Sequence, residues 1–102
     1  MKPVTLINPF SVKPEEEERF LTLWKRADAY LRTQEGFIST KLHKSLDDQT
    51  RLPPATFRFI NMAQWQSSEA FEKAVISEKF KEVASEIFPY SGGPGLYEVI
   101  VE

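Results

Sequence analysis

Two segments of this chain are apolar on both sides of an extended backbone, and this pattern constrains the fold more than any other feature. One of them spans residues 56–66, TFRFINMAQWQ. One set of its alternate positions combines aromatic rings with an amide and an alanine: Phe57, Phe59, Asn61, Ala63 and Trp65. The other set includes Ile60 and Met62, and residues 3–10, PVTLINPF, are similarly apolar on both sides. Strands of this kind lie in the centre of a sheet, so we predict that both segments are central strands.

A long helix is predicted between the first two strands. Pro14 suits its first position, and the acidic residues 15–18 suit the positive end of the helix dipole. Gly36 is a typical residue after a helix end. Apolar side chains at helical spacing form one stripe to be buried: Phe20, Leu23, Trp24, Ala27 and Leu31.

The remaining segments complete the predicted order. Residues 37–46 alternate as an edge strand with exposed lysines, and the turn residues and prolines of 47–55 predict a loop. Residues 96–102, LYEVIVE, form the last predicted strand. Between the third and last strands, Ser67 or Ser68 caps one helix and Ser77 caps a second.

The order β-α-β-β-α-α-β predicts one α+β domain over residues 1–102. The economical arrangement is ferredoxin-like βαββαβ, a four-stranded antiparallel sheet with its helices on one face. Because the helices cannot cover both faces, we predict that a second copy of the chain covers the other face in a sheet-to-sheet homodimer.

The composition argues against several classes of function. The chain has 102 residues, a net charge of −2 and no cysteine, so a basic nucleic-acid surface and thiolate metal sites are not expected. Neither a signal-peptide pattern nor an apolar segment of about 20 residues is found. We therefore predict a cytoplasmic protein without a nucleic-acid or membrane partner and without a metal site.

Asn61 and Trp65 are the residues that most suggest a ligand. A buried amide without a partner is costly, so Asn61 must bind either a backbone group or a bound molecule. A tryptophan at a strand end is more often a core residue than a catalytic one, and Trp65 is compatible with both roles. His43 carries the only imidazole and is the candidate base, although a surface or interface histidine is the more common case. If its side of the second strand faces a cavity, His43 lies near Asn61.

The segments EGFISTKLHKSL (35–46) and FRFINMAQWQSSEAF (57–71) resemble the antibiotic-biosynthesis monooxygenase family of dimeric α+β barrels. The resemblance implies a cofactor-independent oxygenase that needs no metal, flavin or haem. In such enzymes a deprotonated phenolic substrate gives electrons to dioxygen. The Asn and Trp that position substrate and oxygen match Asn61 and Trp65. A family Tyr is replaced by Phe71, and a family cation matches Lys81.

The candidate catalytic residues are therefore Asn61, Trp65 and His43. The candidate substrate-binding residues are drawn from the strands and helices around them: Asn8, Trp24, Phe57, Phe59, Phe71 and Lys81.

Three alternatives remain. Loss of the family hydroxyl at Phe71 also suits a binding or stress-related dimer that holds an aromatic ligand without converting it, and a second alternative is a purely structural interaction dimer. A related branch of the fold degrades haem, and Asn8 matches an Asn of that branch. However, Ala74 and Ala84 stand where that branch has its Trp and axial His, so haem has no histidine ligand there.

Overall fold

The sheet has the two predicted central strands at its centre. The computed structural model describes residues 2–102. Its strands are β1 (Val4–Phe10), β2 (Phe37–Lys44), β3 (Phe59–Trp65) and β4 (Gly95–Tyr97). They are antiparallel in the order β2-β3-β1-β4. This is the predicted ferredoxin-like α+β arrangement, with β2 at one edge.

Three helices follow the predicted order. They are α1 (Glu17–Leu31), α2 (Ser68–Val75) and α3 (Glu78–Ala84), with short 3-10 turns at Pro14–Glu16 and Phe88–Tyr90. Of the two candidate caps, Ser67 is the one used, because its hydroxyl accepts from the Ala70 amide at 3.1 Å. The Ser77 hydroxyl caps α3 in the same way through the Phe80 amide.

The helices pack on one face of the sheet through the predicted stripe of α1. Phe20, Leu23 and Ala27 are its buried members. The Phe20 ring stacks on Phe59 of β3, with centroids 5.0 Å apart. Buried aromatic and aliphatic side chains therefore fill the space between α1 and one end of the sheet.

Gly36 fixes the turn between α1 and β2. Its φ is +92°, and a Cβ at this position would lie 2.4 Å from the Cβ of Ala70 in α2. Only glycine combines this backbone conformation with so close an approach. The start of β2 is thereby held against α2.

The last strand is shorter than the predicted span 96–102. It pairs only with β1, from Ile7↔Gly95 to Thr5↔Tyr97. Because β1 begins at Val4, it leaves no backbone partner for residues 99–102. Val99, Ile100 and Val101 are consequently outside the sheet, and their exposed fractions are 66%, 84% and 83%. The third strand likewise begins at Phe59 rather than at residue 56.

The other face of the sheet carries no helix. On this face Ile7 of β1 pairs with Met62 of β3, and Ile60 is the neighbouring residue of β3 that points the same way. Met62 is 42% exposed. None of the helices formed by residues 2–102 has the length and hydropathy that a membrane span requires.

Candidate active site

A cavity of about 550 Å³ lies between the sheet and the helices. Its floor is formed by the inward-facing side chains of β1 and β3, and α1, α2 and α3 form its walls. The volume falls within the roughly 300–1,000 Å³ of small-molecule sites. Trp24 from α1 and Phe71 from α2 contribute aromatic surface to the walls. A ring system of moderate size therefore fits between the two layers.

Asn61 lies on the cavity floor at the centre of the sheet. It is 7% exposed, and it pairs with Asn8 on one side and Leu42 on the other. Its side-chain Oδ1 accepts a hydrogen bond from the Thr40 hydroxyl at 2.8 Å. Within residues 2–102 its Nδ2 has no such partner, so its two N–H groups are available to a molecule in the cavity.

Asn8 repeats this arrangement on the neighbouring strand. Its Oδ1 accepts from the Ser91 hydroxyl at 3.0 Å, and its side chain also lines the cavity. Two carboxamides therefore lie side by side, each with its oxygen held by a hydroxyl and its nitrogen left to donate. Sequence reasoning did not identify Thr40 and Ser91, because their roles depend on which strands and turns lie next to each asparagine.

Trp65 also lines the floor of the cavity, and its buried indole carries a third N–H group. The residue is fully buried, and among the residues that the structure describes its Nε1 has no hydrogen-bond partner. Phe37 and Phe71 contact the indole edge-on, with centroids 5.6 and 5.7 Å away. An unpaired buried donor costs about 1–3 kcal/mol. A bound acceptor atom would remove this cost, so the indole points to a ligand.

The condition under which His43 would lie near Asn61 is not met, because the His43 side of β2 faces away from the cavity. A β-bulge between Phe37 and Ser39 inserts one extra residue into β2 and reverses the alternation beyond it. Thr40 therefore faces the cavity, whereas His43 pairs with Ile60 on the helix-free face. Its ring Nδ1 lies 3.3 Å from the Ile60 carbonyl oxygen. His43 is thus not brought together with the cavity residues of its own chain.

Three of the predicted substrate-binding residues also lie away from the cavity wall. Phe59 is 2% exposed and belongs to the core beside α1. The ring of Phe57 lies against Gly92, before β3 begins. Lys81 is exposed on α3, with its Nζ 3.6 Å from a carboxylate oxygen of Glu78. Phe59 therefore points into the core, Phe57 packs against the turn at Gly92, and Lys81 lies on the surface.

The cavity residues offer few ligands for a metal or haem. No histidine or cysteine lines the cavity among residues 2–102. The same residues contain no group of three or more metal-ligating side chains. Ala74 and Ala84, at the positions discussed for haem, are both buried alanines. The arrangement provides instead the amide N–H groups of Asn8 and Asn61 in an apolar pocket, which suits an organic acceptor oxygen.

These features define a class of protein, the small α+β domains that enclose a ligand cavity between an antiparallel sheet and its helices. Residues 3–86 match the family model described as antibiotic biosynthesis monooxygenase. The chain therefore belongs to the antibiotic biosynthesis monooxygenase family, as its resemblance predicted.

Solved structures agree with this assignment. A candidate monooxygenase from Shewanella loihica PV-4 is 37% identical, with a TM-score of 0.80, and the match covers 99% of this chain and 97% of that one. SnoaB, a cofactor-independent oxygenase from Streptomyces nogalater, is 25% identical with a TM-score of 0.79. That match covers 100% of this chain and 97% of SnoaB. The comparison with curated proteins gave no match.

Proposed function

We propose that this protein is a cofactor-independent monooxygenase that oxidises a phenolic or hydroquinone-like ring with dioxygen. Membership of the family and similarity to SnoaB support the reaction type. The observation that carries the proposal is the buried, unpaired Nε1 of Trp65 beside the free amide donors of the cavity floor.

The cavity residues are suited to three parts of this reaction. The aromatic walls, including Trp24 and Phe71, hold a flat ring and limit the access of water. The N–H groups of Asn61 and Trp65 donate to the substrate carbonyl and stabilise the negative charge that develops on oxygen. Asn8 adds a donor beside Asn61.

The overall step balances without an external reductant when a ring methylene is the reacting group. The deprotonated ring supplies the electrons. One oxygen atom of dioxygen becomes the new ring carbonyl, and the other leaves as water together with the two hydrogens of the methylene. In a hydroquinone one oxygen atom becomes a new hydroxyl on a ring carbon, the ring is oxidised to a quinone, and the other oxygen atom leaves as water with two hydrogens of the substrate. Dioxygen is the co-substrate in this scheme.

The proposed active form is a homodimer packed through the helix-free face of the sheet. Met62 and the segment 99–101 are exposed apolar groups on one chain, and a second copy would cover them. A cytoplasmic location, and the lack of nucleic-acid and membrane partners, remain predictions from the sequence.

Oxygen uptake tests the function directly. The protein is incubated under air with hydroxylated anthrones or hydroquinones, and uptake is followed for the native protein, Asn61→Ala and Trp65→Phe. Loss of one donor to the developing oxyanion is expected to slow turnover by about 100-fold. Lys81→Ala is the control, because this exposed side chain lies outside the cavity, and it should keep the native rate.

Unchanged uptake in both site variants would refute the assignment of Asn61 and Trp65.

Phe71 favours one alternative, because its ring stands in the cavity wall where the family has a Tyr. Tight binding of the ring compounds without oxygen uptake would support a non-catalytic aromatic-ligand-binding dimer. Haemin titration tests the third candidate, since a sharp Soret band would indicate haem binding.

A further inference from the structure

Asp28 is the one ionisable side chain that lines the cavity within the described chain, residues 2–102. It follows Trp24 by four residues on α1, so both project from the same side of the helix. Its side chain is only 14% exposed. Aspartate is seldom placed in an apolar wall unless it is paired or used.

The ion pair of Asp28 accounts for only one of its oxygens. Arg32 Nε donates to Oδ2 at 2.7 Å. Within residues 2–102, Oδ1 accepts no hydrogen bond from a side chain or a backbone amide. The Arg32 guanidinium also lies over the Phe37 ring, 5.6 Å from its centroid, and is thereby held at the edge of the cavity. One carboxylate oxygen of Asp28 therefore has no hydrogen-bond donor among residues 2–102 and lies at the cavity wall.

The cavity therefore has two chemically different sides. The sheet presents amide N–H donors from Asn8 and Asn61 beside the buried indole of Trp65, and the α1 wall presents an acceptor from Asp28. An ionised carboxylate can only accept, and an unpaired indole N–H can only donate. A ligand that satisfies both sides carries an acceptor oxygen towards the sheet and an O–H group towards α1.

We propose that Asp28 is a specificity-determining residue that accepts a hydrogen bond from a ring hydroxyl of the substrate. The site then selects hydroxylated polycyclic ketones or quinones over the same rings without the hydroxyl. This inference rests on the proposed function of the cavity and adds the residue that recognises a ring hydroxyl of the substrate.

The test compares two ligands that differ by one hydroxyl, anthraquinone and 2-hydroxyanthraquinone. Binding is measured by quenching of tryptophan fluorescence at a pH of about 6, where the ligand hydroxyl is protonated. The native protein should bind the hydroxylated ring at least about tenfold more tightly, as expected for a hydrogen bond to a charged acceptor. Asp28→Ala should bind both rings equally, and Asp28→Asn should keep a smaller preference.

Two control variants separate this role from a structural ion pair. Asp47→Ala breaks another aspartate–arginine pair, with Arg58 at 2.8 Å, outside this cavity, and should keep the full preference. Arg32→Ala removes the partner but leaves the carboxylate, so it should keep the preference as well. If Asp28→Ala does not fold, the isosteric Asp28→Asn carries the test.

An undiminished preference in the Asp28 variants would overturn this inference. If those variants still take up oxygen with ring substrates, the proposed function stands without it. If neither anthraquinone binds the native protein and no substrate supports oxygen uptake, both proposals are wrong.

Discussion

Replacing Trp65 by Phe should reduce activity strongly while costing little stability. Trp65 is fully buried, and its Nε1 has no partner among residues 2–102. The change removes about three heavy atoms from the interior, which costs roughly 2–2.5 kcal/mol at about 0.8 kcal/mol per buried methylene-sized group. It also removes an unsatisfied donor, which raises the free energy of unfolding by about 1–3 kcal/mol. The expected net loss in the free energy of unfolding is therefore about 1.5 kcal/mol or less.

Phe20→Leu is the matched control. Phe20 is also fully buried and loses a similar number of atoms, but its ring has no polar group. We expect this variant to lose about 2–2.5 kcal/mol. Both variants are unfolded in urea and followed by far-UV circular dichroism at one fixed protein concentration. If Trp65→Phe is destabilised as much as Phe20→Leu, the buried N–H is not an unsatisfied group and the reasoning fails.

Three further predictions concern the interface, the pH dependence and the turn before β2. Met62→Lys should weaken the proposed dimer by about tenfold or more in sedimentation experiments, because a charge would be buried in the sheet interface. Tyr90 donates to Glu16 at 2.9 Å, which raises the pKa of Tyr90. Its contribution to stability is complete below about pH 10 and is lost as the pH rises further, and Tyr90→Phe should abolish this part of the alkaline loss. Gly36→Ala should lower the free energy of unfolding by about 1–3 kcal/mol, because it forces φ +92° on alanine against α2.

Each of these predictions has an outcome that contradicts it. Ile76→Lys, at an exposed position beyond α2, should leave the oligomeric state unchanged, and equal dissociation in both lysine variants would argue against the sheet interface. An alkaline transition that is the same in Tyr90→Phe would exclude Tyr90 as its source. Gly93 also has a positive φ, +107°, but a Cβ added there would meet no atom within 4 Å. A Gly36→Ala variant no less stable than Gly93→Ala would therefore contradict the steric argument.

The architecture was predictable because its signals are local. Two-sided apolar strands, the stripe of α1 and the serine caps are properties of short segments, and the structure has each of them. The end of β4 was not predictable in the same way. Residues 96–102 suit a strand throughout, but the position of Val4 at the start of β1 limits how many of them find a partner.

The site was only partly predictable for a similar reason. Alternation along β3 places Asn61 and Trp65 on one face, which the cavity confirms. The placement of His43 depends on the β-bulge between Phe37 and Ser39. The sequence of residues 37–40, FIST, has no feature that predicts this bulge. The hydroxyl of Thr40 reaches Asn61 only because that bulge reverses the alternation of β2.

The most direct test of the account is the behaviour of the indole N–H groups when a ring ligand binds. The chain has two tryptophans, Trp24 and Trp65, so the ¹H–¹⁵N spectrum should contain two indole signals, which a Trp24→Phe variant assigns. On titration with 2-hydroxyanthraquinone, the Trp65 indole proton should move downfield, because it gains an acceptor oxygen that it lacks in the free protein. A ligand that binds while the Trp65 signal stays in place would contradict the central claim that this buried donor holds the substrate.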